Sequence, residues 1–356
     1  MCLAIFFANA AAAQMAPANK TAVIAYYSGN ANKIDSFAVE KLTHIIFSFC
    51  HLKGNELWVN NQRDAITIQK LVSLKQRNPS LKVLLSLGGW GGCKTCSPVF
   101  STEKGRSDFA RSVKKVNNYF KTDGIDLDWE YPAIEGFPGH EYTKEDKQNF
   151  TSLVKILRRE LGSKHEISFA AGGFTQFLAE SIEWEKVAPL VNNINLMTYD
   201  LVNGNSTLSG HHTPLYSTPQ QIESTDHAVK YLDSIGVPRN KMIIGAAFYG
   251  RIFDVEQDGH NGLYQKAKFN KGISFAKLNK DSLAIEGFKY FWDEVAKAPY
   301  LYSSQKKQLL TYDDERSIRL KTEYVRDQQL GGIMFWQLGE DKFKNGLLDA
   351  IDAALQ

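Results

Sequence analysis

The ten residues with the most evident chemistry are Asp123-Gly-Ile-Asp-Leu-Asp-Trp-Glu-Tyr-Pro132. In an extended segment successive side chains point to opposite faces, so Asp126, Asp128 and Glu130 share one face while Ile125, Leu127 and Trp129 share the other. The apolar face must pack against something, which turns the acids into an enclosed space. Carboxylates crowded together away from water cannot all ionise, so at least one holds its proton near neutral pH. Such a group can protonate a leaving group. Two blander readings compete. Acids that merely face solvent fit poorly with a strand buried on both faces. A calcium loop carries its glycine after the acids, whereas Gly124 precedes them and bulky apolar residues separate them. Perturbed carboxyls cluster at working sites, and proton-transfer catalysis is the expectation.

Short apolar runs recur along the chain between amphipathic stretches, the pattern of alternating strands and helices. The spacing predicts strands at Ala22–Tyr27, His44–Phe49, Val83–Leu87, Gly124–Glu130, Ile167–Ala171, Ile194–Tyr199, Met242–Ala247 and Gly332–Gln337. Helical faces lie between them: Phe109, Val113, Val116 and Phe120 share one stripe, and Phe150, Leu153, Val154, Leu157 and Leu161 another. An open parallel sheet of eight strands would leave two edges to protect, so an α/β fold of the (β/α)8 barrel type is expected. Alternation breaks after Arg251. Residues 251–312 hold Phe253, Tyr264, Phe269, Phe275, Phe288, Tyr290, Phe291 and Trp292, enough apolar mass for a small α+β insertion with its own core. The expected division is therefore a barrel over 20–250 and 313–356, and an insertion over 251–312.

At 356 residues the chain can bury a large core, and its net charge of +3, with no Lys/Arg block, argues against a nucleic-acid partner. Residues 1–19 open with Met1-Cys2-Leu3-Ala4-Ile5-Phe6-Phe7 and continue into small residues from Ala8 to Ala13. This is the pattern of a signal-peptide remnant, so a secreted or periplasmic protein is expected. No later uncharged apolar run is long enough to span a bilayer. Beyond that leader the cysteines are Cys50, Cys93 and Cys96. The Cys93-x-x-Cys96 spacing is open to a local disulfide, buried thiols, a redox pair or half a zinc site. With no second Cys/His pair nearby, neither a metal nor a cofactor is expected.

The segment Asp-Gly-Ile-Asp-Leu-Asp-Trp-Glu resembles the DxxDxDxE signature of family 18 glycoside hydrolases, the chitinases. Further pieces are similar: Ser86-Leu-Gly-Gly-Trp90 to the family's third-strand SxGG motif, Met197-Thr-Tyr-Asp200 to its sixth-strand motif, Phe248-Tyr-Gly-Arg251 to the end of its seventh strand and Gly332-Ile-Met-Phe-Trp336 to its eighth. The resemblance covers nearly the whole chain past the leader. It implies hydrolysis of β-1,4 bonds in N-acetylglucosamine polymers, with chitin or its oligosaccharides as substrate and a monomer as the working form.

Each matched position carries an implied role. Glu130 would protonate the glycosidic oxygen while the substrate's own 2-acetamido carbonyl attacks the anomeric carbon, giving an oxazolinium that water opens with retention. Asp128 would hydrogen-bond the acetamido N–H, and Asp126 would share a proton with Asp128. Tyr199 and Asp200 would orient the acetamido group, and Met197 would line its pocket. Trp336 would floor the reacting sugar's subsite, or else be a core tryptophan. Trp90 would stack on the sugar beyond the scissile bond. Tyr249 and Arg251 would touch substrate hydroxyls or the acid row, or else brace a loop. Tyr26, Phe47, Gly88 and Gly89 would shape the pocket. Two other functions stay open at this point: an endo-β-N-acetylglucosaminidase acting on N-glycans, and a non-catalytic chitin-binding lectin on the same fold.

Overall fold

The computed structural model describes residues 21–257 and 259–356, so the leader expected at 1–19 lies outside the described residues. Eight parallel strands close into a barrel: Ala22–Tyr27, His44–Lys53, Lys82–Gly88, Gly124–Asp128, Glu166–Gly172, Asn193–Met197, Met242–Ala247 and Gly332–Trp336. Each pairs with its sequence neighbour, except that the last strand of the barrel returns to pair with both the seventh and the first. All eight lie where the apolar runs place them, and the two runs read as longest at their C-terminal ends stop two residues earlier, at Asp128 and Met197.

The period-two pattern sorts the strand residues into two cores. Val23, Ala25, Ile45, Val83, Leu85, Ile125, Leu127, Ile167 and Ile194 face outwards and pack with the surrounding helices. Ile24, Tyr26, Ile46, Leu84, Ile243 and Met334 fill the barrel interior. Helices Glu103–Phe120 and Asp146–Leu161 cover the strands that flank the acid row and bury the stripes read from their spacing, among them Phe109, Val113, Phe150, Leu153, Val154 and Leu157. Thr102 accepts the Gly105 N–H at 3.0 Å to start the first of these helices. Fully burying each such side chain contributes on the order of 1.5–3 kcal/mol.

A separate five-stranded antiparallel sheet follows the seventh barrel strand: Tyr249–Val255, Ala267–Ser274, Lys289–Asp293, Ala298–Ser303 and Gln308–Tyr312. Its own small core joins Val255, Leu263, Tyr300, Tyr302 and Leu309. The motif read as the end of the seventh strand is thus divided. That strand stops at Ala247, and Tyr249 and Arg251 belong to the first strand of the second sheet. Cys93 and Cys96 form a disulfide and Cys50 is a buried free thiol. No described helix is long and apolar enough to cross a membrane.

Candidate active site

The fourth barrel strand lies between the third and the fifth, with Asp126 in register with Ser86 on one side and Ser168 on the other. Leu127 and Trp129 point away from the interior, and Trp129 packs on Phe100 and Phe150 at ring-centroid distances of 5.6 and 6.4 Å. That outward anchor carries the alternation past the end of the strand. Glu130, two residues beyond it, still faces the mouth and is only 9% exposed. Gly88 pairs with Asp128 at a φ of 108°, and a Cβ there would stand 2.2 Å from the Asp128 carbonyl oxygen. Only glycine lets the third strand approach this closely, and Gly89 N–H then donates to the same oxygen at 2.9 Å.

Asp126 is fully buried and held by four neutral donors. Ser168 and Asn195 donate to Oδ1 at 2.6 and 3.2 Å, and Ser86 and Tyr26 donate to Oδ2 at 2.8 and 3.2 Å. Burial raises its pKa, and the four hydrogen bonds only partly oppose the rise. Each Asp126 oxygen thus already accepts from two donors. Asp128 keeps Oδ1 buried with no hydrogen-bond partner among the described residues. Its pKa is pushed well up, first by burial, then by Glu130 and Asp126. Glu130 is raised to about 7 by burial, with the Tyr131 hydroxyl opposing and Asp200 adding. The row is therefore a set of interacting acids with no ion-pair partner among the described residues, and at neutral pH it retains protons it can donate.

Across the mouth, Tyr199 joins the interior cluster with Tyr26, Tyr249 and Met334, and Met197 and Trp336 pack against it. Burial raises the Tyr199 phenol first, followed by the charges of Asp128, Asp200 and Glu130, all close enough to act on it. It therefore stays a neutral donor. Asp200, with a left-handed φ of 57°, accepts from Tyr249 at 2.7 Å and from both Nε and Nη2 of Arg251 at 2.5 Å. Burial acts to raise Asp200, but the neighbouring His212 and Arg251 outweigh it and hold the carboxyl well below its usual range. Tyr249 and Arg251 thus spend their polar atoms on Asp200 rather than on the acid row.

Trp336 stacks nearly parallel on Phe49, with centroids 5.6 Å apart and planes 12° from parallel, and Tyr26 meets it at 6.1 Å. Trp90, just after the third barrel strand, is 52% exposed and packs against Phe137 at 5.5 Å and Tyr131 at 6.4 Å. Phe47 is a correction. It lies on the outer face of its strand, in the core shared with the helices, while Ile46 points inwards. An irregularity in the pairing between Phe47 and Cys50 re-aims the chain, so Phe49 reaches the pocket instead.

Several neighbours escaped the motif reading: Ser168, Asn195, Phe49, Tyr131 and His212. Ser168 and Asn195 carried a usable signal, since each is polar at an inward position of an otherwise apolar strand. Asn195 is two residues before Met197. His212 and Phe49 carried none, because a loop and an irregular strand pairing bring them in. No group of three or more His, Cys, Asp or Glu side chains among the described residues could hold a metal ion.

Buried carboxylates at the C-terminal mouth of a closed (β/α)8 barrel are where enzymes of this architecture carry their chemistry. The chain belongs to glycosyl hydrolases family 18, whose model matches residues 22–341. It is similar to chitinase A1 of Niallia circulans, 34% identical over 309 residues that make up 80% of this chain and 44% of that one. It is also similar to chitinase B of Serratia marcescens, 28% identical over 94% of this chain and 83% of that one. Another relative, the oviduct-specific glycoprotein of Mus musculus, is 30% identical over 84% of this chain and 43% of that one. The chain thus spans less than half the length of two of these three relatives. Among solved structures, a family 18 N-acetylglucosaminidase from Paenibacillus barengoltzii superposes with a TM-score of 0.83 at 34% identity, covering 94% of this chain and 99% of that one.

Proposed function

We propose that this chain is a chitinase that cleaves β-1,4 bonds between N-acetylglucosamine units, with retention, using the substrate's acetamido group as nucleophile. The observation that carries the reading is the row Asp126, Asp128 and Glu130, buried at one mouth with no ion-pair partner among the described residues and with Glu130 raised to about 7. An acid with that pKa is suited to protonating a glycosidic oxygen and then accepting a proton from water. Asp128, whose Oδ1 has no partner among the described residues, is free to accept the acetamido N–H and to balance the oxazolinium charge. Asp126 holds the base of the row, Tyr199 donates to the acetamido carbonyl, and Trp336 on its Phe49 support receives the sugar face. Asp200, fixed by Tyr249 and Arg251, orients the acetamido group and keeps a negative charge near Glu130. Met197 lines the same space, and Trp90, just after the third strand, takes the leaving-group side.

The reading extends to the chain as a whole. The catalytic unit is 20–250 with 313–356, the insertion is 251–312, and the protein acts as a monomer outside the cytoplasm, secreted or periplasmic. A chitinase catalytic domain of Ostrinia furnacalis solved with penta-N-acetylchitooctaose, at a TM-score of 0.85 and 25% identity, supports a linear substrate. Glu130 is present in the row, which argues against a lectin. The test is product analysis on defined chitin oligosaccharides. Retained β-anomers, with no cutting where the reacting unit carries a free amine, are expected. Efficient cutting at glucosamine units, or inverted products, would overturn the mechanism. Release of glycans from a glycoprotein without attack on chitin oligosaccharides would favour N-glycan trimming.

A further inference from the structure

The loop that carries Trp90 leaves the third barrel strand where that strand pairs with the acid row, and it begins almost entirely in glycine. Between Gly88 and Gly92 only Trp90 has a side chain, and Gly88, Gly89 and Gly91 stand at φ values of 108°, 78° and 86°. Glycine loses more backbone freedom on ordering than any other residue. Gly88 is fixed by its pairing with Asp128, and Gly92 N–H donates to the Gly89 carbonyl at 2.8 Å across the turn. The far end of the loop is closed covalently. Cys93 bonds to Cys96, the first residue of the short helix Cys96–Phe100. Cys93 Sγ lies 3.2 Å from where a Cβ on Gly88 would stand, so the disulfide also packs against the start of the loop. The helix it joins is anchored behind the acid row: Phe100 packs on Trp129 with ring centroids 5.6 Å apart, and Ser97 donates to Asp146 at 2.9 Å.

Cys93 is 2% exposed and Cys96 is fully buried, which shields the bond from exchange with outside thiols. It is a fixed staple. The Trp90 ring, by contrast, is half exposed and meets Phe137 edge-on and Tyr131 at a tilt. A ring mounted on glycines binds a sugar well only if its place is settled beforehand, because ordering the loop on binding would consume part of the gain. Resting on the chitinase reading above, in which Trp90 takes the leaving-group side, we propose that Cys93 and Cys96 are positioning residues. Their disulfide holds the Trp90 loop in its sugar-binding place and thereby sets the affinity for the leaving-group part of the chain.

The test compares two substrates. The tetramer of N-acetylglucosamine can place sugars on both sides of the scissile bond, whereas the fluoride of the corresponding disaccharide gives Trp90 nothing to stack on. Cys93→Ser combined with Cys96→Ser is expected to raise KM for the tetramer about fivefold, with kcat for the tetramer and kcat/KM for the fluoride within about twofold. In a Trp90→Ala background the same pair of substitutions should change neither substrate by more than about twofold, since the ring they serve is gone. Cys93→Ala combined with Cys96→Ala should repeat the selective loss, and thermal melting checks that each variant is folded. Equal loss on both substrates, losses that add to that of Trp90→Ala, or no change on either would overturn the assignment while leaving the chitinase reading intact. Loss of the folded state in both variants would overturn it as well, by making the bond a requirement of the fold. Failure of the wild-type protein to cleave either substrate would overturn the chitinase reading and this one with it.

Discussion

Two places in this molecule bury charge, and they do so in opposite ways. Where the chain leaves the second sheet, Lys321 and Asp313 form an ion pair at 2.7 Å with neither side chain exposed. Lys321 Nζ also donates to the carbonyl and hydroxyl oxygens of Thr213 at 2.8 and 2.6 Å, and Asp313 accepts from Ser317, Thr213 and the Ala247 N–H. Charge is balanced and the polar atoms are satisfied, and the cluster ties the end of the seventh barrel strand to the helix Glu315–Asp327. At the mouth, among the described residues, three acids are buried with no ion-pair partner and Asp128 Oδ1 has no hydrogen bond. Compensated burial holds a junction together. Uncompensated burial stores protons, and that is what a hydrolytic site needs.

The contrast can be broken by experiment. The largest effect is expected for Glu130→Gln, which should lower kcat on chitin oligosaccharides by roughly 10³-fold or more while calorimetry still detects their binding. Activity within tenfold of wild type would remove Glu130 from the acid's role. Next, Lys321→Met should cost about 3–5 kcal/mol in urea unfolding, because it strands Asp313 in the core. The folded fraction should keep its kcat, and a changed kcat with unchanged stability would erase the distinction between the two regions.

The same Glu130→Gln change should have the opposite sign on stability. Glu130 shifts from 4.5 to about 7 on folding, so the folded state binds the extra proton between those values. Wild-type stability is then lost as pH rises from about 4.5 through about 7, and the variant should gain on it over that range by no more than about 3 kcal/mol. Melting curves across that range check this, and a constant difference would mean the carboxyl is not the strained group. The smallest effect separates two phenylalanines. Phe49→Ala should raise KM several-fold, roughly 1 kcal/mol of lost support beneath Trp336. Phe47→Leu should change stability by less than about 1.5 kcal/mol and leave KM alone.

Much of the site was legible in the chain because strand alternation is local. Ile125, Leu127 and Trp129 needed a partner on one side, so Asp126, Asp128 and Glu130 had to share the other, whatever the fold. Gly88 was marked in the sequence only as shaping the pocket, and its close approach to Asp128 is known only from the paired strands. Phe47 keeps the alternation and faces outwards with Ile45, and the irregular pairing that follows it brings Phe49 to the pocket instead. Tyr249 and Arg251 were open in the sequence to substrate contact, contact with the acid row or a bracing role, and the second sheet brings both onto Asp200.

The order of the residues by itself determined which side chains share a face, how many strands alternate with helices, and where the regular pattern is interrupted. These follow from backbone periodicity and from the need of apolar surface to leave water. Closure of the barrel decided the rest. It set Ser86, Ser168, Asn195 and Tyr26 around Asp126 and brought Asp200 close enough to act on Glu130. The pKa of a carboxyl depends on what surrounds it in three dimensions, and neighbours drawn from strands a hundred residues apart are specified only when the chain is folded.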